Sequence, residues 1–273
     1  MGKLLSAERI EGFRRDGFVF PVPVMTESEA GGYRRRLEAY ETEKGGRMAG
    51  LEMHKSYLIF TWLAEMVRHP RVLDAVEDVL GPDLLCFGSS LFIKEPRGRG
   101  EGPGRFISWH QDSTYWTFEP PEVITAWIAL SAATVENGGM RFARGTHRGQ
   151  LPHVETVDNG NMLTRGQTVA VDESAAVDVV LRAGEMSLHH EFTAHASGPN
   201  LTDERRIGFA IRYIPTRIRQ TAGPPLTAML VRGTDRFGHF EPESPPARDL
   251  DPAAVAFFNE TVERHRPTRY STM

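Results

Sequence analysis

The sequence predicts a mainly β protein, a barrel or sandwich that carries helices at its N-terminal end. Two observations predict it. From Leu84 onward, short β-branched or aromatic runs follow one another, punctuated by Gly, Pro or Asn-Gly. Before Leu84, the chain reads as helices with a single extended run among them. No internal repeat or break in composition divides the chain. One domain over 1–273 is therefore expected, with a helical part over about 1–82, a β core over about 83–220 and a tail with a helix over about 221–273.

Each element has its own signal. SAERIEGFRRDG opens on Ser6, a candidate N-cap, and stops at Gly17. FVFPVPV is short and extended, and its prolines suit a sheet edge. TESEAGGYRRRLEAYETEKG begins with the capping-box pair Thr26 and Glu29. HPRVLDAVEDVLG is amphipathic, with Val72, Val76 and Val79 at helical spacing and Gly81 at its end. The strand-like runs are LLCFGSSLFIKEP, RFISWHQDSTYW, VITAWIALSAA, MRFARGTH, AVDVVLRAGEMSLHH and RRIGFAIRYIP. Asn137-Gly138-Gly139 marks a turn between two of them. The tail is a Pro-rich connector, followed by a helix with Pro252 in its first turn.

Composition narrows the function classes. The 273 residues are 40% hydrophobic and 25% charged, as in ordinary globular proteins. The net charge of −4 provides no overall basic field for nucleic acid. The arginine-rich pieces GYRRRLEAYE and ERHRPTRY read as solvated surfaces. Cys86 is the only cysteine, so an internal disulfide and a thiolate-rich zinc or iron–sulfur site are both excluded. Its apolar setting suggests a core residue. No apolar stretch approaches the ~20 residues that span a membrane. MGKLLSAERIEGF turns polar too soon for a secretory signal. A cytoplasmic protein without a membrane partner is expected.

The stretch SWHQDSTYW carries His110 and Asp112 one residue apart. On a strand, alternate residues share a face, so the two would project together. Two ligands do not make a site, and SLHHEFTAHASGPN offers a third in His189, His190 or His195. Two histidines and one carboxylate are the facial triad of non-haem Fe(II) oxygenases.

WHQD, then HASGPN, then RRIGFAIRY resemble the phytanoyl-CoA dioxygenase family of Fe(II)/2-oxoglutarate oxygenases. FIKEP, TAWIAL, ENGGM and RAGEMSLHH fall in the matching order, and the resemblance runs roughly from Phe13 to Pro215. It implies a double-stranded β-helix, a cupin-like jelly-roll barrel with N-terminal helices. It implies His110, Asp112 and His195 as metal ligands, His195 opening the H-x-S-x-x-N stretch with Ser197 and Asn200. It implies Arg206, eleven positions after His195, as the anchor of 2-oxoglutarate, with Lys94, Gln111, Trp127 and Ser197 near the cosubstrate. RFARGTH departs from the family pattern but touches no implied ligand.

Alternation supports the same arginine. Arg206, Gly208, Ala210 and Arg212 share one face of their strand, small or cationic, whereas Ile207, Phe209, Ile211 and Tyr213 make the other face apolar. A guanidinium fork suits a carboxylate. The implied chemistry consumes O2, decarboxylates 2-oxoglutarate to succinate and CO2, and hydroxylates an unactivated C–H bond of a small polar molecule. Asp112 speaks against halogenation, which in relatives needs that position free of a carboxylate. Desaturation, epimerisation and cyclisation remain alternatives within the same cofactor chemistry. A non-catalytic, metal-stabilised binding protein is the alternative of another class. Tyr115, Trp116, Phe118 and Arg212 are candidate substrate contacts, on a monomer or homodimer.

Overall fold

The computed structural model describes residues 2–98, 105–163 and 167–264, apart from the side chain of Tyr115. The first part runs α1 (Ala7–Asp16), β1 (Phe18–Pro23), α2 (Glu27–Lys44), α3 (Thr61–Val67) and α4 (Pro70–Leu80). The strands that follow are β2 (Leu84–Lys94), β3 (Ile107–His110), β4 (Phe118–Glu119), β5 (Ile124–Ala129) and β6 (Met140–Phe142). Next come β7 (His153–Glu155), β8 (Gln167–Val169), β9 (Val177–Asp178), β10 (Glu185–His190) and β11 (His195–Ser197). The chain closes with β12 (Arg206–Pro215), β13 (Arg219–Gln220), β14 (Thr227–Arg232), β15 (Glu241–Pro242) and α5 (Pro252–Arg264).

The helix boundaries follow local chemistry. The Ser6 hydroxyl accepts from the Arg9 amide at the start of α1. At α2, Thr26 and Glu29 form the reciprocal capping box. Pro70 opens α4, and Asp251 caps α5 by accepting from the Ala253 amide at 3.0 Å. Helix α3 has no counterpart among the sequence signals. Trp62, Leu63, Ala64, Met66 and Val67 are all buried there, so it lacks the polar stripe from which a helix is read.

Seven strands form the larger sheet in the order β1-β10-β5-β12-β2-β14-β15, and β3-β11-β6-β9 form a second. All pairings are antiparallel except β14 with β15. The proline-bearing β1 lies at an edge, where its missing amide breaks no inner ladder. The outer face of the large sheet carries Ile128, Leu188, Ile207, Phe209, Ile211 and Tyr213, which pack with Leu63, Val67, Val72 and Val76 of the helices. The inner face meets the smaller sheet: Trp127, Ala129 and Ala210 share one buried cluster with Met140 and Phe142. This is the mainly β, jelly-roll arrangement of two facing antiparallel sheets.

Several strand predictions are shortened by the structure. In RFISWHQDSTYW only Ile107–His110 is strand, and Asp112–Tyr115 is a 3-10 turn. His110 and Asp112 therefore converge through a tight turn and not as neighbours on one pleat. In MRFARGTH only Met140–Phe142 is strand, since Gly145 takes a positive φ of 76° and opens a turn. AVDVVLRAGEMSLHH splits into β9 and β10 around Gly184.

Candidate active site

Strand β3 ends at His110, the next turn supplies Asp112, and β11 brings His195 opposite His110 in register. Their ligand-type atoms lie within 4.8 Å of one another, and all three residues are buried. The Asp112 Oδ1 atom is 3.5 Å from His110 Nε2 and 4.0 Å from His195 Nε2. The Nδ1–H of His110 donates to the Ser108 carbonyl, and that of His195 to the Thr193 carbonyl, each at 2.9 Å. A carbonyl can only accept, so both tautomers are set and both Nε2 lone pairs face the centre. Asp112 Oδ2 accepts from the Thr125 hydroxyl at 3.2 Å. Burial opposes the charge of Asp112, but His110, His195 and Arg212 outweigh it and hold the carboxylate below its usual range. Burial, aided by His110, draws His195 down to about 4, which keeps it neutral and available as a ligand at pH 7. Two imidazoles and a carboxylate, converging from one side, fit an octahedral Fe(II) with positions left open.

The triad opens onto a cavity between the two sheets. Arg206, on β12, lines one part of it and is 1% exposed. Its Nε and one terminal nitrogen have no protein partner, and its guanidinium lies 5.3 Å from the centre of the Trp127 ring. Burial lowers its pKa to about 10, which still leaves it charged at neutral pH. A buried, charged and unpaired fork is costly unless an anion meets it, so this part of the cavity suits a carboxylate. Beside it, Lys94 donates to Ser197 Oγ at 2.6 Å and to the carbonyls of Gly138 and Gly198. Burial and then the Arg206 charge push Lys94 down to about 6, while the three oxygens give its ammonium a use for every proton. Gly138 sits at φ 77° in the predicted turn, where a Cβ would lie 2.4 Å from the Gly198 carbonyl oxygen.

Other candidates are placed differently. The Gln111 amide donates to the Thr146, Gly149 and Phe192 carbonyls and accepts from the Leu151 amide. It staples loops behind the triad and does not line the cavity. Phe118 is core: it packs edge-on against Phe87 with ring centres 4.9 Å apart, beside Phe240. Trp116 reaches the site indirectly, since the Arg212 guanidinium lies 5.5 Å from its ring centre. Arg212 lines the cavity and donates to Ser90 Oγ at 2.9 Å. The side chain of Tyr115 lies outside the described residues.

Thr125 was not singled out by sequence, and His189 only as one of three candidate ligands. Thr125 holds Asp112, and alternation in TAWIAL, which puts Thr125 on the face of Trp127, could have found it. His189 lines the cavity with its ring 4.7 Å from that of His195 and with neither nitrogen paired to protein. His190 turns away, with Nε2 3.1 Å from the Pro121 carbonyl and Nδ1 accepting from the Phe192 amide.

Comparison with known proteins agrees with this geometry. The phytanoyl-CoA dioxygenase (PhyH) family profile matches residues 13–208. A solved non-heme monooxygenase, ThoJ, is 42% identical, with a TM-score of 0.82 over 96% of each chain. An ectoine dioxygenase from Streptomyces coelicolor is 26% identical, over 91% of this chain and 87% of its own. A probable alpha-ketoglutarate-dependent hypophosphite dioxygenase from Stutzerimonas stutzeri is 27% identical over 64% of this chain, a match that spans 62% of that protein. Fe(II) and 2-oxoglutarate are the cofactors of this class, and the His110, Asp112 and His195 cluster fits the metal. The chain belongs to the phytanoyl-CoA dioxygenase family of Fe(II)/2-oxoglutarate-dependent oxygenases.

Proposed function

We propose that this protein hydroxylates an unactivated C–H bond of a small polar molecule, with conversion of 2-oxoglutarate to succinate and CO2. One observation carries the reading: a buried two-histidine, one-carboxylate cluster shares a cavity with a buried arginine that has no anionic partner among the described residues. His110, Asp112 and His195 would hold the Fe(II), and Arg206 would hold the distal carboxylate of 2-oxoglutarate. When bound, the iron and its cosubstrate supply the oxidising power. The protein supplies placement. Thr125 fixes the Asp112 carboxylate, and the backbone carbonyls of Ser108 and Thr193 fix the two imidazoles.

Aspartate at position 112 leaves no free metal position for halide, and similarity to a non-heme monooxygenase supports insertion of oxygen. Arg212 and the unpaired His189, on the wall that borders the triad, are the groups offered to a polar substrate. Arg212→Ala should raise the KM of an anionic substrate, and an unchanged KM would remove Arg212 from recognition. The reading is tested by succinate release across a panel of small polar acids, alcohols and amines, with mass analysis of any product. A gain of one oxygen supports hydroxylation. A loss of two hydrogens, or no change in mass, assigns desaturation, cyclisation or epimerisation instead.

A further inference from the structure

Trp127 and Arg206 stand on neighbouring strands, β5 and β12. Ala210 is directly opposite Trp127 in register, and Gly208 lies two residues further along the same face, between Ala210 and Arg206. The Trp127 indole leans diagonally across the ladder and fills the space above Gly208. A Cβ built on Gly208 would lie 1.9 Å from Trp127 Cζ2, 2.3 Å from Cε2 and 2.6 Å from Cη2. Real Cβ atoms make no such contacts, so any side chain at position 208 must move the indole. The indole cannot move freely, because it is 3% exposed and packed with Ala129, Met140 and Phe142. The Arg206 guanidinium also lies over the ring, 5.3 Å from its centre. Gly208 has an ordinary extended φ, so this glycine is required by the ring and not by the backbone.

We infer that Gly208 is a positioning residue for the cosubstrate. Its missing side chain is the slot that seats Trp127, and Trp127 in turn holds Arg206 in line for the distal carboxylate of 2-oxoglutarate. The inference rests on the proposed function and refines it, because it separates the two ends of the cosubstrate. Metal chelation by a 2-keto acid depends on the triad. Capture of the distal carboxylate depends on the Gly208–Trp127–Arg206 stack. Pyruvate has the chelating end alone and 2-oxoglutarate has both.

The test is an anaerobic titration of Fe(II)-loaded wild type and Gly208→Ala with 2-oxoglutarate and, separately, with pyruvate, read by the visible absorption of the chelated keto acid. For Gly208→Ala the Kd of 2-oxoglutarate should rise about ten- to thirty-fold, the size expected when a desolvated cation–ring contact is lost. The Kd of pyruvate should stay within about twofold. An unchanged 2-oxoglutarate Kd, or an equal loss for both acids, overturns the inference. A double-mutant cycle makes the route explicit. In a Trp127→Ala background, where nothing is left to displace, Gly208→Ala should no longer weaken 2-oxoglutarate; an undiminished effect overturns the role of the ring. If Gly208→Ala alone does not fold, the double variant should fold, and its failure to do so counts against the seat. No absorption from wild type with either acid overturns the proposed function and this inference together. Normal binding by wild type and by Gly208→Ala alike overturns the inference alone.

Discussion

Arg206 is fully buried and its guanidinium keeps two nitrogens unpaired, so the proposed grip on 2-oxoglutarate needs the fork and not merely a charge. Arg206→Lys should therefore weaken 2-oxoglutarate about ten- to a hundredfold, as expected for a lost charge-assisted hydrogen bond. Binding at wild-type strength would show that another residue takes the carboxylate. Thr125→Val should lower Fe(II) affinity by about ten- to a hundredfold, because Asp112 then loses the hydroxyl that donates to its Oδ2 while the ligands stay in place. Metal titration checks it, and unchanged affinity would make Thr125 a packing residue. Residue spacing made much of this legible. Arg206 separates from Arg205 by alternation alone, and the structure sends Arg205 to Glu41 and Glu95 on the helical side. Gln111 was not legible, because its partners are backbone carbonyls of loops that nothing in the sequence brings together. His189 was visible only as one histidine among three.

Elements were legible wherever a cap or a period marked them. Helices α1, α2 and α4 and the long strands β2, β5 and β12 carry such marks. Helix α3 carries none because it is buried on nearly all sides, and the strand over His110 stops early because local turn geometry outweighs alternation. The tail is attached by a contact that no pattern announces. Lys55, at φ 50°, donates from Nζ to the Thr227 carbonyl at 2.9 Å and to the Glu243 carboxylate, which also accepts from the Tyr57 hydroxyl. Lys55 and Glu243 are both buried, at 2% and 6% exposure. Lys55→Met would leave Glu243 buried without its cation, and should destabilise the fold by about 3–5 kcal/mol. Chemical denaturation reads this directly, and a loss below about 1 kcal/mol would show that solvent reaches the carboxylate.

Across the whole molecule, the buried histidines couple folding to acid. Burial first, and then neighbouring histidines, draw His190 and His195 down to about 4 and hold His189 well below its ordinary range. In the unfolded chain each would titrate near 6.5. Between those values the unfolded state binds more protons, so stability is fully present above about pH 6.5 and is lost as pH falls toward 4. The metal-free protein should show a denaturation midpoint that drops steadily between pH 7 and 5, and a flat profile would mean that these imidazoles are solvated. Fe(II) binding to the folded protein should weaken only as pH falls toward 4, where protons begin to compete for His195. Among the described residues no helix is long and apolar enough to cross a membrane. The central claim is that His110, Asp112 and His195 form an iron centre that 2-oxoglutarate joins. Anaerobic absorbance of the protein with Fe(II) and 2-oxoglutarate tests it most directly. Wild type should develop a weak visible charge-transfer band that His195→Ala lacks, and wild type indistinguishable from His195→Ala would contradict the claim.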